Sequence, residues 1–308
     1  MAYNLRHLKY FIATAELGQV SRAAIELSVS QSAVTAAVRE LETTLGAKLF
    51  IRSAQGMMLT DSGRQFLATG YDIVAKVEDS LRVAETLGLQ GSLKIAASYT
   101  VIGYFLPVHL DRLSRVMPDV TLQVREMTRQ TLEEALLSDQ IEIGVALTSN
   151  ISHPDLCKET LLSSPRRLWL SARHPLAERE ELHLADIAEE PYVMLTVDEA
   201  AHTAMRYWSR TSFTPNVILR TSSIEAVRSM VSNGLGISIL SDMVYRPWSL
   251  EGRRLETAQI ADPVPAMDVG LVWRRGAPFP PAMRAFRSYF RGLFGTPQLG
   301  AGTSTEPG

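Results

Sequence analysis

The sequence predicts a two-part chain: a small helical head with a helix-turn-helix and a wing, then one long linker helix and a larger α/β region. Three observations carry this. Residues 20–63 set two short helical patterns before an extended segment. Residues 60–88 repeat apolar positions every three or four residues. From Gly91 onward, strands alternate with helices.

In the head, MAYNLRHLKYFIATAELG spaces Leu5, Leu8, Phe11, Ile12 and Ala15 helically, with Asn4 as the cap. Ser21 is expected to cap the next helix, whose small Ala23 and Ala24 allow close packing. Ser30 caps the third, its hydroxyl meeting the unpaired amides of the first turn. Along that helix Ala33, Val34, Val38, Leu41 and Leu45 make one buried face. Gln31, Ser32, Thr35, Ala36 and Arg39 make the other, and Gly46 sits where a left-handed residue ends the helix. A polar, unburied second helix is the geometry that enters a DNA major groove. A plain helical hairpin with a solvated face leaves the same local pattern.

Thr60 opens the third segment, in which Phe66, Gly70, Ile73, Val77, Leu81 and Ala84 form a seam close to that of a coiled coil. It reads as a dimerisation linker, with a surface helix packed on its own domain as the alternative. Beyond Gly91, SLKIAAS, VTLQVRE and IEIGVAL read as strands. VIGYFLPVHLDRLSRVM, with Pro107 near its first turns, and TLEEALLSD read as helices. RRLWLSA, PYVML, NVILR and GISIL continue the strands, with helical ELHLADIAE, DEAAHTAMRYWSR and SIEAVRSMVSN between them. Such alternation implies mainly parallel sheets.

The strings A-A-x-x-L, S-Q-S-A-V-T, L-E-x-x-L-G, L-F-x-R and L-T-x-x-G, from Ala23 to Gly63, fall in one register. They resemble the DNA-binding region of LysR-type transcriptional regulators. The resemblance implies a winged helix-turn-helix domain over 1–62 and a linker helix over 63–90. An effector-binding regulatory domain follows over 91–294, with two hinged lobes similar to periplasmic binding proteins. Lobe I takes about 91–165 and 266–294, the late MDVGLVWRR strand and PPAMRAFRSYFRGLF helix returning to it. Lobe II takes about 166–265. The Gly/Pro/Ser/Thr-rich tail 295–308 is expected to be disordered. Ser30, Gln31, Ser32, Thr35, Arg39 and Arg52 are the DNA-binding candidates. Ala36 and Gln55 replace residues that are often basic in this family.

Composition agrees with a soluble globular protein, at 46% hydrophobic and 21% charged residues. Neither a signal-peptide pattern nor a membrane-spanning apolar run is present, and the single Cys157 excludes an intramolecular disulfide. A cytoplasmic location is expected. Net charge is −2, and the first 62 residues carry six Lys/Arg against five acids, so phosphate attraction alone does not carry DNA binding.

Ligands of open α/β sheets bind beyond the carboxyl ends of the strands. Those loops hold Ser98, Thr100, Thr128, Arg129 and Thr196, the candidate effector contacts; the resemblance places the effector site there too. Hydroxyls and amides at helix starts suit a small anion, and Arg129 can pair with a carboxylate. Each Ser or Thr reads equally as a helix cap. Tyr99, Tyr104, Trp208 and Trp248 read as an aromatic pocket or as core. Gly234-Leu235-Gly236 follows a helix and precedes a strand, the wrong order for a dinucleotide site. No metal spacing, cofactor motif or nucleophile-base set is found, so no enzyme is expected. The expected partners are operator DNA, a small-molecule effector and further copies of the chain as a dimer or tetramer. RNA polymerase is left open as another. A solute-binding protein or an enzyme on the two-lobed fold are the rival readings.

Overall fold

A computed structural model of the chain describes residues 3–53, 56–86, 88–179 and 181–294, with backbone alone at 52–53, 72, 75 and 78–86. It divides into two compact units, the first reaching Leu87 and the second spanning Gly88–Thr296. Gln55 and the 295–308 tail lie outside the described residues.

The first unit starts with α1 (Leu5–Leu17). Asn4 accepts from the His7 amide at its head, and Gly18 ends it at φ 65°. α2 (Val20–Glu26) begins one residue before Ser21, with Gln19 at its cap position and no side-chain cap bond. Ser21 is therefore not the cap: the tight left-handed turn at Gly18 returns the chain to helical angles sooner. α3 (Gln31–Leu45) is capped as expected, Ser30 Oγ accepting from the Ala33 amide at 3.2 Å, and ends at Gly46 with φ 65°. Its buried face is Val34, Ala37, Val38 and Leu41. Leu45, in the last turn, is 39% exposed, and Ala37 takes its place in the core.

The wing pairs β1 (Phe50–Ser53) with β2 (Gly56–Leu59), antiparallel. α4 (Asp61–Thr86) follows. Thr60 fixes its start by donating to the Lys48 carbonyl at 2.6 Å and accepting from the Gly63 amide at 2.9 Å. Gly63 is required there, since a Cβ would run into the Leu49 carbonyl. Phe66, Leu67, Ile73 and Val74 pack on the cluster of Leu8 and Phe11, and Gly70 lies against Leu8. The first part of the expected seam is thus covered by its own unit. The side chains of Leu81 and Ala84, its later part, lie outside the described residues.

The second unit has two lobes. Lobe I holds β3 (Gly91–Ala97), β4 (Val120–Glu126), β5 (Ile143–Leu147), β6 (Leu156–Ser164) and, from the far end of the chain, β12 (Met267–Arg274). Their order is β4-β3-β5-β12-β6, with β3 parallel to β4 and β5 and with β12 antiparallel to β5 and β6. All five residues of β5 are buried, as a central strand requires. α5 (Tyr99–Tyr104), α6 (Leu106–Val116) and α7 (Arg129–Leu137) join the strands, and α11 (Pro281–Phe294) lays Phe286, Tyr289 and Phe290 on the lobe I core. The single helix expected over 101–117 is two. Pro107 lacks an amide hydrogen and crowds the carbonyl of Gly103, and the break falls at Phe105, whose φ and ψ are −118° and −55°.

Lobe II holds β7 (Arg166–Ser171), β8 (Pro191–Leu195), β9 (Asn216–Thr221), β10 (Ser238–Ser241) and β11 (Leu255–Ala258), with α8 (Leu184–Ile187), α9 (Ala200–Trp208) and α10 (Ile224–Ser232). β8 and β9 are parallel, while β7 lies antiparallel between β10 and β11. Backbone bonds of Pro191 and Val193 to Ile237 join the two sets. The mainly parallel expectation is thereby corrected in both lobes: β7 and β12 each enter a sheet from the opposite lobe and run against their neighbours. Gly234 lies just past the end of α10 at φ 75°. No described helix is long and apolar enough to cross a membrane.

Candidate functional site

On the head, Gln31, Ser32, Ala36 and Arg39 are exposed along one side of α3, and Thr35 is half-buried beside them. Thr35 donates its hydroxyl to the Gln31 carbonyl at 2.8 Å, leaving it only acceptor capacity for a ligand. Ser30 and Ser32 share a hydroxyl bond at 2.9 Å. Gln31 and Arg39 therefore keep uncommitted donors, as does whichever of the two serines accepts in that bond, and among the described residues Arg39 forms no ion pair. Arg52 stands in β1 opposite Met57; its side chain lies outside the described residues.

Sequence reasoning passed over Lys48, which with Thr35, Arg39, Phe50 and Met57 lines a hollow of about 250 Å³ between α3 and the wing. Glu42 holds that geometry. Its carboxylate accepts from Lys48 Nζ at 2.7 Å and from the amides of Leu49 at 2.9 Å and Phe50 at 3.4 Å. Partial burial works to raise its pKa, but these bonds outweigh that and hold the carboxyl below its ordinary range. The L-E-x-x-L-G string is thus a device that ties α3 to the wing.

In the second unit the candidates separate. Thr128, Arg129 and Thr196 line one cleft of about 480 Å³ together with Tyr99, Asp198 and Glu199. Thr100 instead lines a narrow inner cavity of about 30 Å³, with Asn150, Arg166, Asp198, Thr203 and Ser241. Ser98, at the head of α5, is 4% exposed, and its Oγ has no hydrogen-bond partner among the described residues. Thr128 caps α7 by accepting from the Thr131 amide. Thr196 is exposed, and its amide donates to the Thr221 carbonyl at 2.8 Å. Of the four aromatic residues, Trp208 is core and Trp248 is 57% exposed; only Tyr99 lines the cleft.

At this cleft the residues that reading the sequence missed are acidic. Asp198 and Glu199 follow β8 in lobe II and reach across to lobe I. Asp198 Oδ2 accepts from the Thr100 amide at 2.7 Å, its carbonyl accepts from Asn150 Nδ2 at 3.1 Å, and Glu199 Oε1 accepts from Arg129 Nε at 2.5 Å. The Glu199 bond is the main influence holding the Arg129 guanidinium further above its ordinary range, and Glu133 adds at 3.1 Å. Both acids adopt positive φ, 48° and 60°, a conformation costing non-glycine residues about 1–3 kcal/mol each. The only signal in the sequence was a pair of acids after a strand, at the same kind of loop as Thr128-Arg129.

Arg166 stands at the crossing from β6 to β7 and donates to the carbonyls of Pro265 and Ala266 at the other crossing. Burial pulls its pKa below the usual guanidinium range, and among the described residues no carboxylate lies within ion-pair distance. This half-buried cation lines the inner cavity. No cluster of three or more His, Cys, Asp or Glu among the described residues could hold a metal ion.

Known proteins match both units. Residues 5–64 match the bacterial regulatory helix-turn-helix protein model of the lysR family, and residues 87–295 match the LysR substrate binding domain. The HTH-type transcriptional regulator YnfL of Escherichia coli K12 is 31% identical, over 93% of this chain and 97% of its own. The RuBisCO operon transcriptional regulator of Allochromatium vinosum is 32% identical, over 94% and 96%. The crystal structure of HinK, a LysR family regulator from Pseudomonas aeruginosa, superposes with a TM-score of 0.62 at 26% identity, covering 95% of this chain and 99% of that one. With a helix-turn-helix head, a two-lobed α/β domain and these matches, the chain belongs to the LysR family of DNA-binding transcriptional regulators.

Proposed function

We propose that this regulator reads its operator through Gln31, Ser32, Thr35 and Arg39, with Ser30 and Arg52 on the DNA backbone, and answers to a small carboxylate-bearing effector held between the lobes. Ser98, Thr100, Thr128, Arg129 and Thr196 are its contacts. The observation that carries the effector reading is that the Thr100 amide and the Arg129 guanidinium each already hold a carboxylate across the lobes. They are donors suited to that group. An effector moves the lobes only by its different affinity for their two arrangements.

The proposed division is a head over 1–62, a linker over 63–90 and the regulatory domain over 91–294, and the work is done in the cytoplasm. The linker pairs with its copy in a homo-oligomer. Leu81→Glu then dissociates the oligomer in light scattering, and a monodisperse wild-type monomer at micromolar concentration contradicts the pairing.

The effector reading is tested in two steps. A differential-scanning screen of small carboxylates first finds a compound that raises the melting temperature of the full chain. Ser98→Ala and Arg129→Ala are then assayed with that compound for response and without it for operator binding. Lost response with retained DNA binding supports the site; a normal response in both variants overturns it.

A further inference from the structure

We infer that Asp198 is a built-in substitute for the effector's carboxylate, and that the regulator selects its effector by whether it can displace this side chain. The inference rests on the inter-lobe effector site proposed above. Val197 and Asp198 line both the outer cleft of about 480 Å³ and the inner cavity of about 30 Å³, so this turn is the partition between them, and the Asp198 carboxylate fastens it to the Thr100 amide. Behind the partition are Arg166, a cation without a carboxylate partner among the described residues, and the polar side chains of Asn150, Thr203 and Ser241. In front of it Glu126, Asp198 and Glu199 outnumber Arg129, so the closed cleft repels an anion.

Exchange resolves this conflict. An incoming carboxylate that takes the Thr100 amide replaces one charge-assisted bond by another, at no loss in number. Asp198 then leaves a left-handed conformation held by its contacts to the opposite lobe, and the way to Arg166 opens. A neutral acceptor would exchange a charge-assisted bond for a weaker one, and a cation has no acceptor to offer. Both leave the partition shut and do not act as effectors.

Asp198→Gly in the full chain removes the carboxylate while the backbone keeps its positive φ, which glycine adopts freely. Asp198→Asn keeps the volume and an acceptor oxygen. The probe is sodium acetate against sodium chloride at equal ionic strength, read as melting temperature. Acetate is expected to raise the melting temperature of Asp198→Gly by about 2–4 °C as it fills the vacated position, to leave the wild type unmoved, and to shift Asp198→Asn, whose neutral oxygen makes the weaker bond, by less than Asp198→Gly. The same shift in all three proteins, or none in Asp198→Gly, overturns the inference. This outcome is separable from failure of the effector site. Acetate rescue beside normal effector responses in Ser98→Ala and Arg129→Ala would retain the partition and discard the site.

Discussion

Tyr104 at the end of α5 donates its hydroxyl to Glu225 on α10 at 3.0 Å, joining the two lobes. That carboxylate is clamped by Arg228, through Nε at 3.0 Å and a second nitrogen at 3.2 Å. Arg228 is 1% exposed, lies over the Trp169 ring and also donates to the carbonyls of Val244 and Arg246. α5 is therefore bonded to lobe II at both ends, by the Thr100 amide at one and the Tyr104 hydroxyl at the other.

Two substitutions here should differ in size. Tyr104→Phe removes one bond to a half-exposed carboxylate and is expected to cost about 0.5–1 kcal/mol in urea unfolding. Arg228→Ala strips a buried cation from Glu225 and two carbonyls and empties space beside Trp169, costing about 3 kcal/mol or more. Equal effects would show that Arg228 does not anchor the network.

Gln31→Ala tests the recognition face. The side chain is exposed at the first residue of α3, and a lost paired contact to adenine costs about 1–3 kcal/mol. Gel shifts should show specific operator binding weakened more than binding to unrelated DNA. Equal loss on both would make Gln31 a structural residue.

Acid stability has two windows, one in each unit. His109 is 8% exposed, and burial, aided by the nearby Arg112 charge, pushes its pKa down to about 4. Between the unfolded value near 6.5 and 4 the unfolded chain binds the extra proton, so stability falls as pH falls through that range. The loss is on the order of 3 kcal/mol, and His109→Phe should remove the slope from lobe I unfolding. Glu42 is depressed below its ordinary value, so its contribution is present above pH 4.5 and fades below it. Glu42→Gln should lower head stability at pH 7 and flatten that second window.

Much of this architecture was legible locally. Asn4, Ser30 and Gly46 mark helix ends by chemistry that needs no tertiary context, and the motif from Ala23 to Gly63 carried the head. Other features were not local. β6 escaped because its pairing with β12 slips between Val269 and Gly270, skipping Leu161 and breaking the two-residue period. The direction of β7 and β12 depends on which lobe the chain has reached. The effector candidates are four hydroxyl residues and one arginine at the loops that lead into helices. Their partners Asp198 and Glu199 come from the opposite lobe, and no spacing rule links residues 70 to 98 positions apart.

The placement of β12 between β5 and β6 has a consequence for biosynthesis. Lobe II is contiguous, so all five of its strands have been synthesised once residue 258 is made. Lobe I starts earlier and finishes later, because its fourth strand by position is its last by synthesis. A nascent chain stopped before Met267 presents β5 and β6 as open edges, ready to pair with a neighbouring chain. Late truncations should therefore aggregate through lobe I, however sound the head and lobe II remain.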